Sequence, residues 1–318
     1  MKRASLKSIA ARAGVSKTTA SFVLNGKGNQ HKISKSTQQR ILRTAEELDY
    51  RPSFLAQTLS SGITHTLGFI WDREQAAHLL PHLMDGLERV QYRVLPGKAV
   101  GSAEKTRLIE DFMLRQTDAI VAFDDEESAQ WSRVLKESEI PLLLIPSLTQ
   151  PSGLGQQSTL LPQLFNLLLQ HHFQHHRKAI GYIGLSDTSP EPAKVFQEAY
   201  LQRFGMNGHL LQCLSNSKEL PEALHRLADK QTKAVIFENP KLLLEALVYL
   251  KGHPYESLSS MAFSTLGCSP RFEWAQPQVS AADLDYSHLA QNISAWIKGR
   301  PKPTSKIQVL PASCRLYT

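Results

Sequence analysis

The residues best suited to chemistry lie in a short helical segment near the start of the chain. Five polar or aromatic side chains have the spacing of a single helix face: Lys17, Thr18, Ser21, Phe22 and Asn25. Three apolar side chains fall on the opposite face: Ala20, Val23 and Leu24. One face can therefore pack against a core while the other contacts a polar partner through its hydrogen-bonding groups.

Positive charge is concentrated around this segment. Residues 1–62 hold eleven of the 36 Lys and Arg residues but only three of the 29 Asp and Glu residues, a surplus of about +8, against a formal net charge of +7 for the whole chain. The rest of the chain is therefore close to neutral. A cationic module on a near-neutral body suits a phosphate-rich polymer, because neutralising DNA phosphates releases condensed counterions. The charge distribution predicts a nucleic-acid binder.

The pattern around the segment predicts three helices. Ser5 can cap a first helix that Gly14 ends, and Ser16 can cap a second helix over 17–25. A polar loop follows, and Ser34 opens a third helix, which ends before Pro52. Four side chains of the third helix are predicted to point inward: Ile41, Leu42, Ala45 and Leu48. This order is typical of a helix-turn-helix module. A generic three-helix bundle has the same periodicity, and the charge favours the DNA-binding alternative.

The segment 6–26, LKSIAARAGVSKTTASFVLNG, resembles the DNA-binding headpiece of the lactose-repressor family. The resemblance continues through Tyr50-Arg51-Pro52-Ser53 to the run THTLG at 64–68. Thr19-Ala20-Ser21 and the loop before Ile33 are most similar to the fructose- and sucrose-repressor branch. The resemblance implies a homodimer that binds a pseudo-palindromic operator in double-stranded DNA, with the second helix in the major groove.

The resemblance assigns roles to the face of the second helix. Lys17 and Thr18 occupy the positions that read base edges, and lysine can donate to guanine O6 and N7. Four short polar side chains suit phosphate contacts: Ser16, Thr19, Ser21 and Asn25. Lys32 in the basic loop is a further predicted DNA contact. Phe22 stands where many members carry arginine, so we expect it to touch a thymine methyl group, with a core aromatic as the alternative.

Residues 53–59, SFLAQTL, resemble the hinge helix of the family. A helix of about two turns is not stable alone in water, so it is expected to fold on DNA beside its dimer mate. The resemblance implies that Leu59 is wedged into the minor groove and kinks the duplex, and that Gln57 contacts the groove edge. Without the resemblance, Leu55 and Leu59 read equally well as the core-facing pair of a linker.

After residue 65 the pattern changes to alternating β and α segments. Six apolar runs predict buried strands: 66–71, 119–123, 141–145, 178–184, 234–237 and 261–263. Amphipathic stretches at 102–115, 160–175 and 242–250 predict helices between them, and a further strand is expected at 308–312. Alternation of this kind indicates a doubly wound parallel sheet. About 250 residues are more than one such sheet needs, so the chain is predicted to form two lobes and to cross between them at 146–157.

The predicted fold class is therefore α/β: an all-α helix-turn-helix headpiece at 1–51, a hinge helix and linker at 52–62, and a two-lobed, periplasmic-binding-protein-like core at 63–318. Segments 180–184, 198–200 and 308–312 carry the resemblance in the core, and the last two are similar to the trehalose-repressor branch. The core is expected to bind an effector and to dimerise.

Ligands of such folds bind at the carboxyl ends of the strands. Five side chains are predicted to surround an effector there: Asp72, Arg73, Asp124, Asp187 and Lys194. The Arg-x-x-Gly-Phe helix start of many sugar-binding members is absent, and 192–196 reads PAKVF instead. The effector is expected to be a sugar or a sugar phosphate, which Arg73 and Lys194 would hold as cations, although each also suits a solvated surface.

Other chemistry finds little support in the sequence. No nucleophile elbow, His-Glu-x-x-His motif or phosphate-binding glycine loop occurs, so we expect neither a catalytic site nor a cofactor. His172 and His176 lie one helical turn apart, but no nearby Cys or acid completes a metal site, and a structural role is expected. The three Cys residues form no C-x-x-C pair, and no run has the length of a signal peptide or a membrane span. The cytoplasm is the expected location.

The sequence thus predicts a DNA-binding transcriptional regulator, a repressor of a carbohydrate uptake or utilisation operon. One alternative is a regulator whose core only dimerises or senses a protein partner. The other is a carbohydrate enzyme with a fused DNA-binding domain, against which the missing catalytic motifs argue. The operator and the effector cannot be named from the sequence.

Overall fold

The computed structural model describes residues 4–50, 58, 61–71, 74–135, 138, 140–147, 160–185, 191–205, 210–253, 258, 260–299 and 308–318. The chain divides into two compact units, Met1–Thr64 and His65–Thr318. The first unit is helical, and the second contains two mainly parallel sheets with helices packed on them. The predicted fold class, a helical headpiece and a two-lobed α/β core, is confirmed.

Serine residues begin each helix of the first unit. The helices are α1 Leu6–Arg12, α2 Lys17–Leu24 and α3 Lys35–Glu47. The side chains of Ser5, Ser16 and Ser34 each accept a hydrogen bond from the backbone N–H three residues ahead. These bonds satisfy N–H groups that the start of a helix leaves without an intrahelical partner. The three predicted caps are confirmed.

A glycine in the left-handed region ends α1. Gly14 has a φ of 63°, a conformation that residues with a Cβ rarely adopt. The backbone then reverses so that the N–H of Val15 donates to the carbonyl of Ala10 at 3.0 Å. This bond satisfies a carbonyl at the helix end and fixes the tight turn into α2.

Side chains from all three helices form the core of the first unit: Ile9, Ala10, Ala13, Ala20, Val23, Ile41 and Ala45. Leu24 and Leu48 pack against it. The prediction for Leu42 was wrong, because its side chain is 46% exposed. Residue 42 lies about 100° around the helix from Ile41, whereas Ala45, four residues after Ile41, lies on the same face. Leu42 therefore turns towards solvent.

Two sheets organise the second unit. The first has the strand order β10-β4-β3-β1-β2 and is parallel, and the second has the order β11-β9-β8-β7-β5-β6 and is parallel except for the β11–β9 pair. The strands are β1 Thr66–Trp71, β2 Arg93–Lys98, β3 Ala119–Phe123, β4 Leu142–Ile145, β5 Ile180–Leu185, β6 Leu210–Leu214, β7 Ala234–Phe237, β8 Ala262–Leu266, β9 Val279–Leu284, β10 Gln308–Val309 and β11 Cys314–Tyr317. The helices are α4 Glu74–Glu88, α5 Ser102–Leu114, α6 Ser128–Leu135, α7 Leu160–Gln174, α8 Glu191–Phe204, α9 Leu220–Asp229, α10 Pro240–Gly252 and α11 Tyr286–Lys298, with short 3₁₀ turns at Ser217–Glu219 and Pro270–Trp274.

The chain passes between the two lobes at several points. It leaves the first sheet after β4, and α7 then packs on β8, β9 and β11 of the second sheet. It returns after β9, because α11 packs on α4 of the first lobe. It crosses again between β10 and β11. The predicted crossing after β4 agrees with this path, although residues 148–159 lie outside the described part of the chain.

The strands that pattern reasoning missed are β2, β6, β9 and β11. β2 and β6 are edge strands whose residues are mostly partly exposed, so they lack a continuous apolar run. The expected strand at 308–312 is shorter than predicted and covers only Gln308–Val309. Edge strands pair on one side only, and their composition is correspondingly less distinctive than that of a buried central strand.

Candidate nucleic-acid interface and strand-end sites

α2 presents the predicted recognition face to solvent. Lys17 and Thr18 in its first turn are exposed, whereas Ala20 and Val23 on the opposite side are buried in the headpiece core. The cap at Ser16 fixes where the helix begins, and the turn at Gly14 fixes its direction relative to α1. The ammonium group of Lys17 and the hydroxyl of Thr18 are therefore displayed by a packed scaffold, as base-edge recognition requires.

The other short polar side chains of this face bond partly to one another. Ser16 Oγ accepts the N–H of Thr19 at 3.0 Å and lies 2.8 Å from Thr19 Oγ1. Asn25 Nδ2 donates to Ser21 Oγ at 3.3 Å. Each side chain retains hydrogen-bonding capacity beyond these contacts. The first role of Ser16 is thus to cap α2, and a phosphate contact would be additional.

Phe22 does not stand alone on this face. Its ring stacks on the ring of His31 from the following loop, with centroids 3.5 Å apart and an angle of 9° between the planes. Phe22 is half-buried, whereas His31 is exposed. One face of the Phe22 ring is therefore covered by an imidazole. Sequence reasoning missed His31, because the eight residues between Phe22 and His31 give no periodic signal.

Gln38 of α3 holds the loop that follows α2. Its Nε2 donates to Asn29 Oδ1 at 3.0 Å and to the carbonyl of Ile33 at 2.7 Å. Gly28 passes so close to Gln38 that an added Cβ would lie 2.6 Å from the amide carbon. Lys32 is exposed and adopts a φ of 52°. The loop is thus shaped by specific bonds, and Lys32 lies at its surface.

The charges of the headpiece are distributed unevenly. Its described Asp and Glu residues, Glu46, Glu47 and Asp49, all lie at the end of α3. Arg12 contacts Glu47 at 3.5 Å in an exposed pair. The N-terminal part of α2 and the loop carry cations without acidic residues in sequence between them. This end of the headpiece suits a polyanion.

The predicted minor-groove contacts, Gln57 and Leu59, lie outside the described residues. The same is true of Asp72, Arg73 and Asp187 among the predicted effector contacts. Lys194 is described: it is an exposed residue of the first turn of α8.

Asp124 lies at the carboxyl end of β3, where the sequence predicted it. It is only 3% exposed, its backbone N–H donates to the carbonyl of Ile145 at 2.7 Å, and its Oδ1 has no hydrogen-bond partner among the described residues. The adjacent Asp125 forms a buried ion pair with Lys105 of α5, and the Lys105 ammonium lies 5.5 Å from the centre of the Trp131 ring. A buried carboxylate oxygen without a partner is costly, so Asp124 is poised to accept a hydrogen bond from a ligand or water.

The second lobe carries a matching carboxylate at the end of β7. Glu238 is 4% exposed, and its Oε2 accepts the N–H of Leu185 at 2.8 Å, which links the ends of β7 and β5. An added Cβ at Gly184 would lie 2.7 Å from the Tyr182 hydroxyl and would also collide with Glu238. Burial, and then the neighbouring Glu238, raise the pKa of Tyr182 above its ordinary range, so this hydroxyl stays protonated. Sequence reasoning missed Glu238, although its place directly after a buried strand was a usable signal.

A buried carboxylate also marks the passage from β9 to α11. Asp283 Oδ2 accepts the N–H of Cys268 at 2.7 Å and the hydroxyl of Tyr286 at 2.8 Å, and Oδ1 accepts the N–H of Leu284 at 2.7 Å. Burial raises the pKa of Asp283, and these three hydrogen bonds oppose the shift. The Tyr286 ring stacks on His78 of α4, 5.7 Å between centroids. The network ties the second sheet to the helices of the first lobe where the chain crosses between lobes.

The histidines of α7 have structural contacts. His172 is buried, and its Nε2 lies 2.8 Å from Ser264 Oγ, which donates to the carbonyl of Val235 at 3.3 Å. Because the hydroxyl proton is used by Val235, the network assigns the imidazole proton to Nε2 of His172. Burial, and then the nearby His171, Arg177 and His175, lower the pKa of His172 to about 3. Among the described residues, no group of His, Cys, Asp and Glu has the geometry of a metal site.

A capped helix-turn-helix headpiece followed by a two-sheet α/β core is typical of DNA-binding transcriptional regulators. Residues 5–53 match the family model "Bacterial regulatory proteins, lacI family". Over 305 residues the chain is 34% identical to the HTH-type transcriptional regulator AscG of Escherichia coli strain K12, covering 90% of this chain and 88% of AscG. The chain belongs to the lacI family.

Other similarities are more local or concern the fold. The sucrose operon repressor of Klebsiella pneumoniae is 45% identical over 69 residues, 22% of this chain, and the match spans only 21% of that repressor. The lac repressor dimer bound to operator and an anti-inducer has a TM-score of 0.68 at 16% identity, covering 98% of both chains. The proteins named here are regulators rather than enzymes. In the described part of the chain, no helix has the length and apolar character of a membrane span.

Proposed function

We propose that the protein is a sequence-specific, DNA-binding transcriptional regulator that represses a carbohydrate operon as a homodimer. The exposed face of α2, with Lys17 and Thr18 displayed at its capped start, carries this proposal. Lys17 reads a guanine through O6 and N7, and Thr18 contacts the next base through its hydroxyl or methyl group. Ser16, Thr19 and Lys32 contact phosphates and fix the register of the helix in the major groove.

Several named relatives support the carbohydrate assignment. The sucrose operon repressor matches over 69 residues, and the fructose operon regulatory protein of Vibrio cholerae is 30% identical over 145 residues. The lac repressor neighbour was solved as a dimer on its operator. A symmetric dimer presents two headpieces to a pseudo-palindromic site, whose half-sites lie about one helical turn apart or a multiple of it. Such a regulator acts in the cytoplasm, where bacterial DNA lies.

We further propose that Leu59 enters the minor groove at the centre of the operator and that Gln57 contacts the groove edge. A leucine inserted between base pairs kinks the duplex, and the cost of unstacking is offset by added contacts to the bent DNA. The kink forms in the specific complex alone. Binding to random DNA depends instead on phosphate contacts.

The effector site is proposed to lie at the strand ends of the two lobes, with Asp124 from the first and Glu238 from the second. Asp72 and Asp187 follow strands of the same two sheets and complete the set. Carboxylates accept hydrogen bonds from hydroxyl groups but repel phosphate, which favours a neutral sugar over a sugar phosphate. A sugar phosphate would require cations, which Arg73 and Lys194 would supply. A bound effector biases the lobe arrangement and thereby the affinity for DNA.

Site selection from a random duplex library with the purified full chain tests the DNA assignment. A palindromic consensus is expected, and enrichment of no sequence would contradict the function. Thermal denaturation with neutral sugars and their phosphate esters tests the effector, because a ligand at 100 times its Kd stabilises by about 2.7 kcal/mol. Stabilisation by neutral sugars that Glu238→Gln removes is expected. No response to any compound would favour a core that only dimerises.

A further inference from the structure

The loop after α2 is built as a companion of the recognition helix. Gln38 of α3 fixes its middle through the hydrogen bonds to Asn29 and Ile33, and Gly28 fits beneath the Gln38 side chain. The N–H of Ile33 donates to the carbonyl of Gly28 at 2.9 Å, which closes the loop on itself. A loop with this many internal bonds has a defined shape before any ligand arrives, so its side chains need little ordering on binding.

His31 occupies the part of this loop that returns to α2. Its ring lies nearly parallel to that of Phe22, 3.5 Å away, and Phe22 projects from the same helix face as Lys17 and Thr18. His31 is exposed, and none of the described residues hydrogen-bonds to its ring nitrogens. The stack fixes the plane of the imidazole and leaves its edge, which carries both nitrogens, open beside the recognition face.

Two cations of the loop lie near His31 in sequence. Lys27 and Lys32 lie four residues before and one residue after His31, and both are exposed. Neither forms an ion pair with a described acidic residue, because the acids of the headpiece lie at the end of α3. A hydrogen-bond donor on the same short loop as two exposed lysines suits an anion. Phosphates repeat along both strands of a DNA duplex, beside the major groove.

We propose that His31 is a DNA-contact residue whose stack on Phe22 holds a ring nitrogen against a backbone phosphate beside the groove that α2 enters. The inference rests on the proposed DNA-binding function. Phe22 is then a positioning residue that acts through His31, and the thymine contact expected of Phe22 from the sequence is not needed. A phosphate contact carries no sequence information, so His31 adds affinity without changing the consensus.

His31→Phe tests the contact, because phenylalanine preserves the stack and removes both nitrogens. The full-length dimer is measured on its selected operator and on a random duplex by fluorescence anisotropy. We expect affinity to fall about tenfold or more on both duplexes, since a dimer loses one hydrogen bond to a charged group in each half-site. His253→Phe is the matched control. His253 is also an exposed histidine, stacked on Tyr249, but it lies in the second unit, outside the headpiece.

Each outcome separates the alternatives. If His31→Phe binds within twofold of the wild type while the wild type binds its operator, His31 does not contact DNA and only this inference fails. If the loss is confined to one base pair of the selected consensus, His31 reads a base and the phosphate assignment is overturned. If the wild type selects no operator, the proposed function fails first.

The role of Phe22 is tested by a double-mutant cycle. Phe22→Leu removes the flat stacking surface and is expected to weaken binding about as much as His31→Phe. Added to His31→Phe, it should cost less than twofold further, because the contact it positions is already lost. A full additive loss would mean that Phe22 touches DNA itself. The thermal transition of the headpiece, followed for every variant, identifies any loss that comes from unfolding.

Discussion

Acid should destabilise the second unit through the buried His172. In the native protein its Nε2 bonds to Ser264, its Nδ1 is buried without a partner among the described residues, and its pKa is lowered to about 3 from an ordinary 6.5. Protonation of Nδ1 would place a charge at a buried atom that has no hydrogen-bond partner among the described residues. The native state therefore keeps His172 neutral, whereas the unfolded chain protonates it.

The loss of unfolding free energy in acid follows from the difference between the native and unfolded pKa of His172. Because the native pKa lies below the unfolded one, the stability is fully present above pH 6.5 and is lost as the pH falls from 6.5 towards 3. At pH 5 the unfolded state is almost fully protonated at His172, whereas the native state is not. The free energy of unfolding is therefore about 2 kcal/mol lower at pH 5 than above pH 6.5. This value depends on the unfolded pKa rather than on the depth of the native shift, provided that the native pKa lies well below 5.

His172→Gln isolates the effect, because glutamine can place its amide nitrogen near the position of Nε2, retain the bond to Ser264 and remain uncharged. Free energies of unfolding of the core are measured by urea denaturation at pH 8 and pH 5. The wild type should lose about 2 kcal/mol more than His172→Gln between these values. His175→Gln, which changes an exposed histidine beside the same helix, should follow the wild type. Parallel pH profiles for the wild type and His172→Gln would refute the reasoning.

Three further predictions concern the DNA-binding segment. Lys17→Ala should relax base preference at one position in each half-site, at a cost of about 1–3 kcal/mol per contact, and an unchanged selected consensus would contradict the assigned role. Leu59→Ala should weaken operator binding more than binding to random DNA, because only the specific complex is kinked; equal losses on both duplexes would remove the wedge assignment. Ser16→Ala should destabilise the headpiece by about 1 kcal/mol through loss of the α2 cap, seen by calorimetry as a shift of the headpiece transition, with the core transition as the internal control. An unshifted headpiece transition would show that Ser16 does not cap α2 in solution.

Much of the DNA-binding face could be predicted because its signals are local. A cap bonds to a residue three positions away, and the two faces of α2 follow from a 3.6-residue period, so Ser16, Lys17 and Ala20 are placed by their neighbours in sequence. The family resemblance added roles that periodicity cannot give. Of the two buried carboxylates in the proposed strand-end site, Asp124 was identified from its place after a strand, whereas Glu238 was not.

The sequence alone determined the three headpiece helices, the excess of positive charge near them and the alternation of strands and helices, because caps, hydrophobic periods and charge act over a few residues. The tertiary structure alone decided which side chains meet across the fold. His31 stacks on Phe22 because Gln38 bends the loop back, and Asp283 is buried because the chain crosses between lobes beside it. Such contacts join residues separated by an intervening loop or element, and their free energy depends on burial and on distances that no local pattern encodes.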